Sequence, residues 1–223
     1  MSVCRGYFIT GTDTGVGKTA VTLGLMQALQ ARGHTVAAMK PVASGCVSMP
    51  AGLRNDDALR LQQQASVELE YALINPYCFA PPIAPHIAAE QAGVRMDIKK
   101  IYNKYNKIRG VSDCVLVEGA GGWQVPLNAE ETLADLAVAL DLKVILVVAI
   151  RLGCLNHALL TAESIINSGC ELAGWVANHL LPVSEAAAAN VRALDLRLAC
   201  PRLGIITYNE EISAKFVADC LSV

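Results

Sequence analysis

The chain has 223 residues, 53% of them hydrophobic, with 18 basic and 20 acidic side chains. That suits one α/β domain over residues 1–223, and the near-balanced charge argues against a nucleic-acid-binding surface. The longest strongly apolar run, Val144 to Ile150, is far too short to cross a bilayer, and the first residues lack the plan of a secretory leader; a cytoplasmic protein without membrane or nucleic-acid partners is expected.

In chain order, the first predicted strand is Gly6 to Thr10. It runs directly into GTDTGVGKT, Gly11 to Thr19, and then into a helical pattern from Thr19 to Arg32. A strand, a glycine-bearing turn and a helix in that order aim backbone N–H groups at phosphate oxygens, and the helix N-terminus adds partial positive charge. Gly15 and Gly17 permit the tight turn. Lys18 would reach the outer phosphates and Thr19 would offer a hydroxyl to Mg²⁺. One glycine is displaced: the common phosphate-loop pattern wants it where Thr12 stands, and here it is Gly11.

A second strand, Thr35 to Lys40, ends on a lysine, with Ser44 shortly after. Lys40 is either a stray surface charge or a cation facing the cradle from its strand end. Asp56 and Asp57 open a helical pattern running to Gln63. Taken alone they read as helix caps at least as readily as metal ligands. The proline-rich stretch Asn75 to His86 should be a shaped loop, unable to hold a regular helix and placed to edge a pocket. From Ile98 to Lys107 the apolar positions Ile98, Ile101, Tyr105 and Ile108 predict an amphipathic helix with a solvated basic face.

The third strand, Cys114 to Glu118, ends on a carboxylate that can hold Mg²⁺ directly or through water; a capping or surface role is the plain alternative. Glycines follow it, and Trp123 reads as either a pocket wall or core. Further helices are predicted at Thr132 to Leu140, Asn156 to Ser168 and around Ala186 to Ala189. Further strands are predicted at Val144 to Ala149, Leu172 to Asn178 and Leu203 to Thr207, and a closing helix within Ile212 to Leu221. Short apolar strands alternating with helices imply a three-layer α/β fold, a mostly parallel central sheet covered on both faces. His86 and His157 lack ligand spacing and read as hydrogen-bonded loop and helix-start residues. The eight cysteines, at 4, 46, 78, 114, 154, 170, 200 and 220, contain no Cys-x-x-Cys pair and are expected to be buried thiols rather than disulfide or zinc partners.

Rival nucleotide switches lose their marks. A partition-type ATPase wants a lysine where Asp13 stands. A regulatory GTPase wants Asn-Lys-x-Asp, and neither string near Asn103 nor that near Asn106 supplies the aspartate.

Together, GTDTGVGKT, KPVASG (Lys40 to Gly45), LRNDDAL (Leu53 to Leu59), NPYCFAPPIAPHIAA, VEGAGGWQVPL (Val117 to Leu127), RLGCLNHALLT (Arg151 to Thr161) and GWVAN (Gly174 to Asn178) resemble the dethiobiotin synthetases, from about residue 6 to 180. That family shares the Gly11–Thr12 arrangement. The resemblance implies an ATP- and Mg²⁺-dependent ligase of biotin biosynthesis that joins carbon dioxide to 7,8-diaminononanoate and closes a cyclic urea, releasing ADP and phosphate. One amine forms a carbamate, the carbamate attacks the γ-phosphate, and the second amine closes the ring. Carried over, Thr12, Lys18 and Lys40 would surround the carbamate and γ-phosphate, and Ser44 would help hold the carbamate. Asp13, Thr14, Gly15, Val16, Gly17, Lys18 and Thr19 would cradle the nucleotide with Glu118 and Gly121, and Asn178 would face the adenine edge. Thr19, Asp57 and Glu118 would hold Mg²⁺, which moves Asp57 from cap to ligand. The family is a homodimer; Gly121 would border the diamine, and Leu152, Gly153 and Asn156 of the partner would reach its carboxylate tail.

Overall fold

The computed structural model describes residues 6–182 and 184–222; Cys4 lies outside them. In chain order the elements are β1 (Gly6–Gly11), α1 (Lys18–Ala31), β2 (Val36–Met39), β3 (Val42–Ser44), β4 (Val47–Met49), β5 (Gly52–Arg54), α2 (Asp56–Gln64), α3 (Tyr71–Ile74), β6 (Tyr77–Phe79), α4 (Pro85–Gln91), α5 (Ile98–Arg109), β7 (Cys114–Glu118), α6 (Leu133–Ala139), β8 (Lys143–Ala149), α7 (Cys154–Asn167), β9 (Leu172–Asn178), α8 (Glu185–Asp195), β10 (Arg202–Ile206) and α9 (Ala214–Asp219).

Among the described residues, six strands form one sheet in the order β10-β9-β8-β1-β7-β2, and every pairing in it is parallel. The near-continuous apolar strands explain this, because both faces are buried. Successive strand residues face opposite sides. Ile9, Val36, Leu116, Ile145 and Val176 pack on one side with Val21, Leu25 and Met26 of α1 and Val217 of α9. Phe8, Met39, Val117, Leu146 and Trp175 pack on the other with residues of α5, α6, α7 and α8.

Local chemistry fixes the helix starts. Thr132 and Asp135 form a reciprocal capping box on α6, and Ser184 and Ser213 accept from Ala187 N and Phe216 N at α8 and α9. Each such cap contributes about 1 kcal/mol. α5 buries Ile98, Ile101, Tyr105 and Ile108 as the spacing predicts. Trp123 belongs to the core, with its ring edge-on to Phe8 at 6.0 Å.

Four expectations are corrected. Asn55 caps α2, accepting from Ala58 N, so neither Asp56 nor Asp57 is needed there. The segment Asn75 to His86 is not loop throughout: Tyr77–Phe79 pairs in parallel with β3, and α4 begins at Pro85, where the missing N–H costs nothing. His86 is not hydrogen-bonded through Nδ1, which is buried without a partner. Cys46 and Cys78 are not free thiols but a disulfide, with Cα atoms 6.1 Å apart. The β3–β6 ladder sets Ala43 beside Cys78, which brings the two cysteines into range although 32 residues separate them. Cys114 and Cys154 are buried thiols, and Cys170, Cys200 and Cys220 are half-buried ones. Among the described residues, no helix is long and apolar enough to cross a membrane.

Candidate active site

The strand register builds the site. Ile9 of β1 pairs with Glu118 of β7, and Met39 of β2 pairs with Val117. Lys40 follows Met39 and therefore lies beside Glu118. The loop after β1 folds over both, at the carboxyl edge of the parallel sheet, where such folds gather ligands.

Lys40 Nζ donates to Glu118 Oε1 at 2.5 Å and to Asp57 Oδ2 at 3.1 Å. Thr19 Oγ1 donates to the same Glu118 oxygen at 2.8 Å. Glu118 is fully buried and Lys40 nearly so. Burial pulls the Lys40 ammonium down, but Glu118 and Asp57 outweigh it, and its pKa is raised. Burial pushes the Asp57 carboxyl up, yet Lys40 and Thr19 hold it below the usual range. Both groups therefore stay charged.

In the cradle, Lys18 Nζ lies back over the loop and donates to the carbonyls of Asp13 (2.9 Å) and Gly121 (2.5 Å). Burial first, and Lys40 second, lower its pKa to about 8. The displaced glycine now has a reason: a Cβ on Gly11 would strike the Val16 side chain and crowd the stem of Lys18. Gly17 has φ 95°, and a Cβ there would collide with the Asn178 amide. Asn178 is 1% exposed. Its Nδ2 donates to Val16 O at 2.8 Å, while its Oδ1 is covered and has no hydrogen-bond partner. Asn178 thus braces the loop from beneath.

These groups meet around a cavity of about 890 Å³. Asp13, Thr14, Gly15, Gly17, Lys18, Thr19, Lys40, Ser44, Asp57, Glu118 and Gly121 line it. The Ser44 hydroxyl is buried and unpartnered. Val16 is buried within the loop, and Thr12, half-buried, donates its backbone N–H to Val147 O. Leu152, Gly153 and Asn156 do not line the cavity; they stand exposed at the start of α7, Leu152 at 101%. That stretch touches the cradle through Arg151, whose Nη2 meets Asp13 Oδ2 at 2.6 Å. The cavity residues not singled out as site residues include Asn55, Arg60, the prolines Pro82 and Pro85, and Gln124 to Pro126. The proline-rich composition pointed to a pocket edge; Arg60, three residues after Asp57 on α2, carried only its helical spacing as a signal.

The donor set suits a hard cation. Thr19, Asp57 and Glu118 offer only oxygen, and Glu118 Oε2 is buried with no hydrogen-bond partner. Among the described residues no group of three or more His, Cys, Asp or Glu side chains is clustered for metal binding. Mg²⁺ sites commonly use one or two carboxylates with substrate phosphates completing the shell.

A family model described as an AAA domain matches residues 5–215. The ATP-dependent dethiobiotin synthetase of Pseudomonas aeruginosa strain UCBPP-PA14 is 48% identical over 213 residues, covering 95% of this chain and 93% of its own. That of Nitrosospira multiformis is 47% identical over 224 residues, covering 100% and 97%. Among solved structures, the MinD cell division protein of Aquifex aeolicus superposes with a TM-score of 0.59 at 17% identity, over 96% of this chain and 86% of that one; this likeness concerns the fold alone. With a phosphate cradle at the head of a parallel sheet and near half-identity over almost its whole length, the chain belongs to the dethiobiotin synthetase family.

Proposed function

We propose that the chain closes the cyclic urea of dethiobiotin from 7,8-diaminononanoate, carbon dioxide and ATP, by way of a carbamate and a carbamic–phosphoric anhydride. The observation that carries this reading is the convergence of two lysines, Lys18 and Lys40, with the oxygens of Thr19, Asp57 and Glu118 around one cavity. Phosphoryl transfer needs little covalent help from protein; it needs positive charge aimed at oxygens that gain charge, and an in-line nucleophile.

One substrate amine adds to carbon dioxide and loses a proton, giving a carbamate anion. Its oxygen attacks the γ-phosphorus and ADP departs. The second amine, neutral at that moment, attacks the carbonyl carbon, expels phosphate and loses its proton. No protein base is assigned, since the carbamate is already an anion. Lys40, Thr12 and Ser44 hold the carbamate against the γ-phosphate. The loop from Asp13 to Thr19 and Gly121 cradle the phosphates, and Lys18 swings from its carbonyl rests onto them. Thr19, Asp57 and Glu118 would hold Mg²⁺, which would neutralise phosphate charge. Asn178 Oδ1 has no partner and suits the adenine amino group as an acceptor, but it is covered and outside the cavity lining, so the base would reach it only once the cover yields. We further read the chain as a single cytoplasmic domain acting as a homodimer, with Leu152, Gly153 and Asn156 of one protomer reaching the diamine carboxylate in its partner.

Turnover with ¹⁸O-labelled bicarbonate tests the route. The carbamate oxygen bonded to phosphorus leaves with phosphate, so label should appear in the released phosphate. Unlabelled phosphate would mean water attacked ATP instead, and would overturn the reading.

A further inference from the structure

Behind the cavity wall, a tyrosine and an asparagine connect the two sides of the Lys40–Asp57 contact. Asn75 is buried and its Nδ2 donates to the carbonyl of Lys40 itself at 2.7 Å and to Tyr77 O at 3.1 Å. The Tyr71 hydroxyl donates to Asn75 Oδ1 at 2.9 Å. The same hydroxyl accepts from the backbone N–H of Asn55 at 2.8 Å. Asn55 is the cap of α2, two residues before Asp57. Lys40 N also donates to Ile74 O, in the helix that carries Tyr71.

A single hydroxyl therefore ties the backbone of the cation to the start of the helix that presents its counter-ion. The Tyr71 ring is held independently, by the Arg54 guanidinium 4.2 Å from its centroid. Removing the hydroxyl would free Asn55 N–H and Asn75 Oδ1 together and loosen both ends of the pair, while the cradle of Gly11 to Thr19 shares none of these bonds. We propose that Tyr71 and Asn75 are positioning residues, which set Lys40 against Asp57 and Glu118 so that its ammonium meets the reacting oxygens. This rests on the reading of Lys40 given above.

The test compares wild type, Tyr71→Phe, Lys40→Gln and the double variant, each shown folded by thermal melting. Tyr71→Phe keeps the ring and loses only the hydroxyl. Its kcat should fall roughly 10- to 100-fold, the cost of a small misplacement of a reacting group, with KM for ATP within about twofold of wild type. In the Lys40→Gln background the same change should cost clearly less, because most of the effect is transmitted through Lys40 and only the part acting through Asp57 remains. A folded Tyr71→Phe enzyme with wild-type kcat would overturn the proposal. So would an equal loss in both backgrounds, which would mean that Tyr71 acts elsewhere. Wild-type turnover in Lys40→Gln alone would instead sink the assignment of Lys40, and the positioning role with it. If Tyr71→Phe does not fold, Asn75→Ser, which keeps a donor near the Lys40 carbonyl, is read by the same criteria.

Discussion

Lys40 and Glu118 form an ion pair of 2.5 Å that is almost wholly out of solvent. Burying two charges costs more than most such pairs return, so the pair is poor evidence for stability. Asp57 accepts from Lys40 and the Thr19 hydroxyl donates to Glu118, and the four side chains lie on the wall of the phosphate-loop cavity. The arrangement makes chemical sense as charge kept ready for a reaction.

Lys40→Gln should therefore separate binding from chemistry. ATP affinity, set by the cradle, should stay within a few fold in a direct titration. Turnover should fall by about 3 kcal/mol or more of transition-state stabilisation, the scale of one lost charge-stabilising group. Steady-state kinetics beside the titration check this, and near-normal turnover would refute the role given to Lys40.

Glu118→Gln keeps the shape and removes the charge. Lys40 is then left buried with only the partly exposed Asp57 as counter-ion. Breaking a buried pair in this way costs about 3–5 kcal/mol, which a urea titration at neutral pH would read. Turnover should be lost even at Mg²⁺ concentrations that saturate the wild type. A variant as stable and active as wild type would remove Glu118 from the site.

Gly17→Ala and Gly33→Ala make a matched pair. Both positions have positive φ, 95° and 85°, so both changes cost about 1–2 kcal/mol of backbone strain. Only at Gly17 does the new methyl meet another group, the Asn178 amide that holds Val16 O. ATP binding should fall at least about tenfold in Gly17→Ala and stay unchanged in Gly33→Ala. Equal ATP affinities in a fluorescence or calorimetric titration would contradict the bracing role of Asn178.

Thiol counting tests the disulfide. Denatured protein should show two more reactive thiols after reduction than before, mapped by mass spectrometry to Cys46 and Cys78. In the folded protein Cys200 should alkylate slowly at pH 8, because burial pushes its thiol up to about 11 and leaves roughly one molecule in a thousand as thiolate.

The long elements were legible because their patterns had no competing reading. The strands at Gly6, Cys114 and Leu172 are apolar runs with polar residues only toward their carboxyl ends, and α5 follows its four apolar positions. The seven-residue α4 escaped because its start lies inside the proline-rich stretch. Most elements that escaped are three or four residues long, such as α3 and the β3–β6 pair, too short for periodicity to register. The disulfide escaped for the same reason, since it depends on that ladder. Asp57 is ambiguous in sequence because a carboxylate at a helix start serves equally as cap or ligand; only in the folded chain is Asn55 seen to do the capping. Lys40 and Glu118 were each visible as strand-end charges, but their contact depends on register, which no local pattern states. The network through Tyr71 and Asn75 was invisible, because its bonds join one side chain to backbone groups far along the chain.

In this enzyme ATP should be spent only in joining carbon dioxide to the diamine. The most direct measurement follows ADP and dethiobiotin together, from 7,8-diaminononanoate, ¹³C-bicarbonate and ATP, with each omitted in turn. One ADP should form for each ¹³C-labelled dethiobiotin, and little ADP when diamine or bicarbonate is left out. ADP released as fast without the diamine, with no dethiobiotin in the complete mixture, would contradict it.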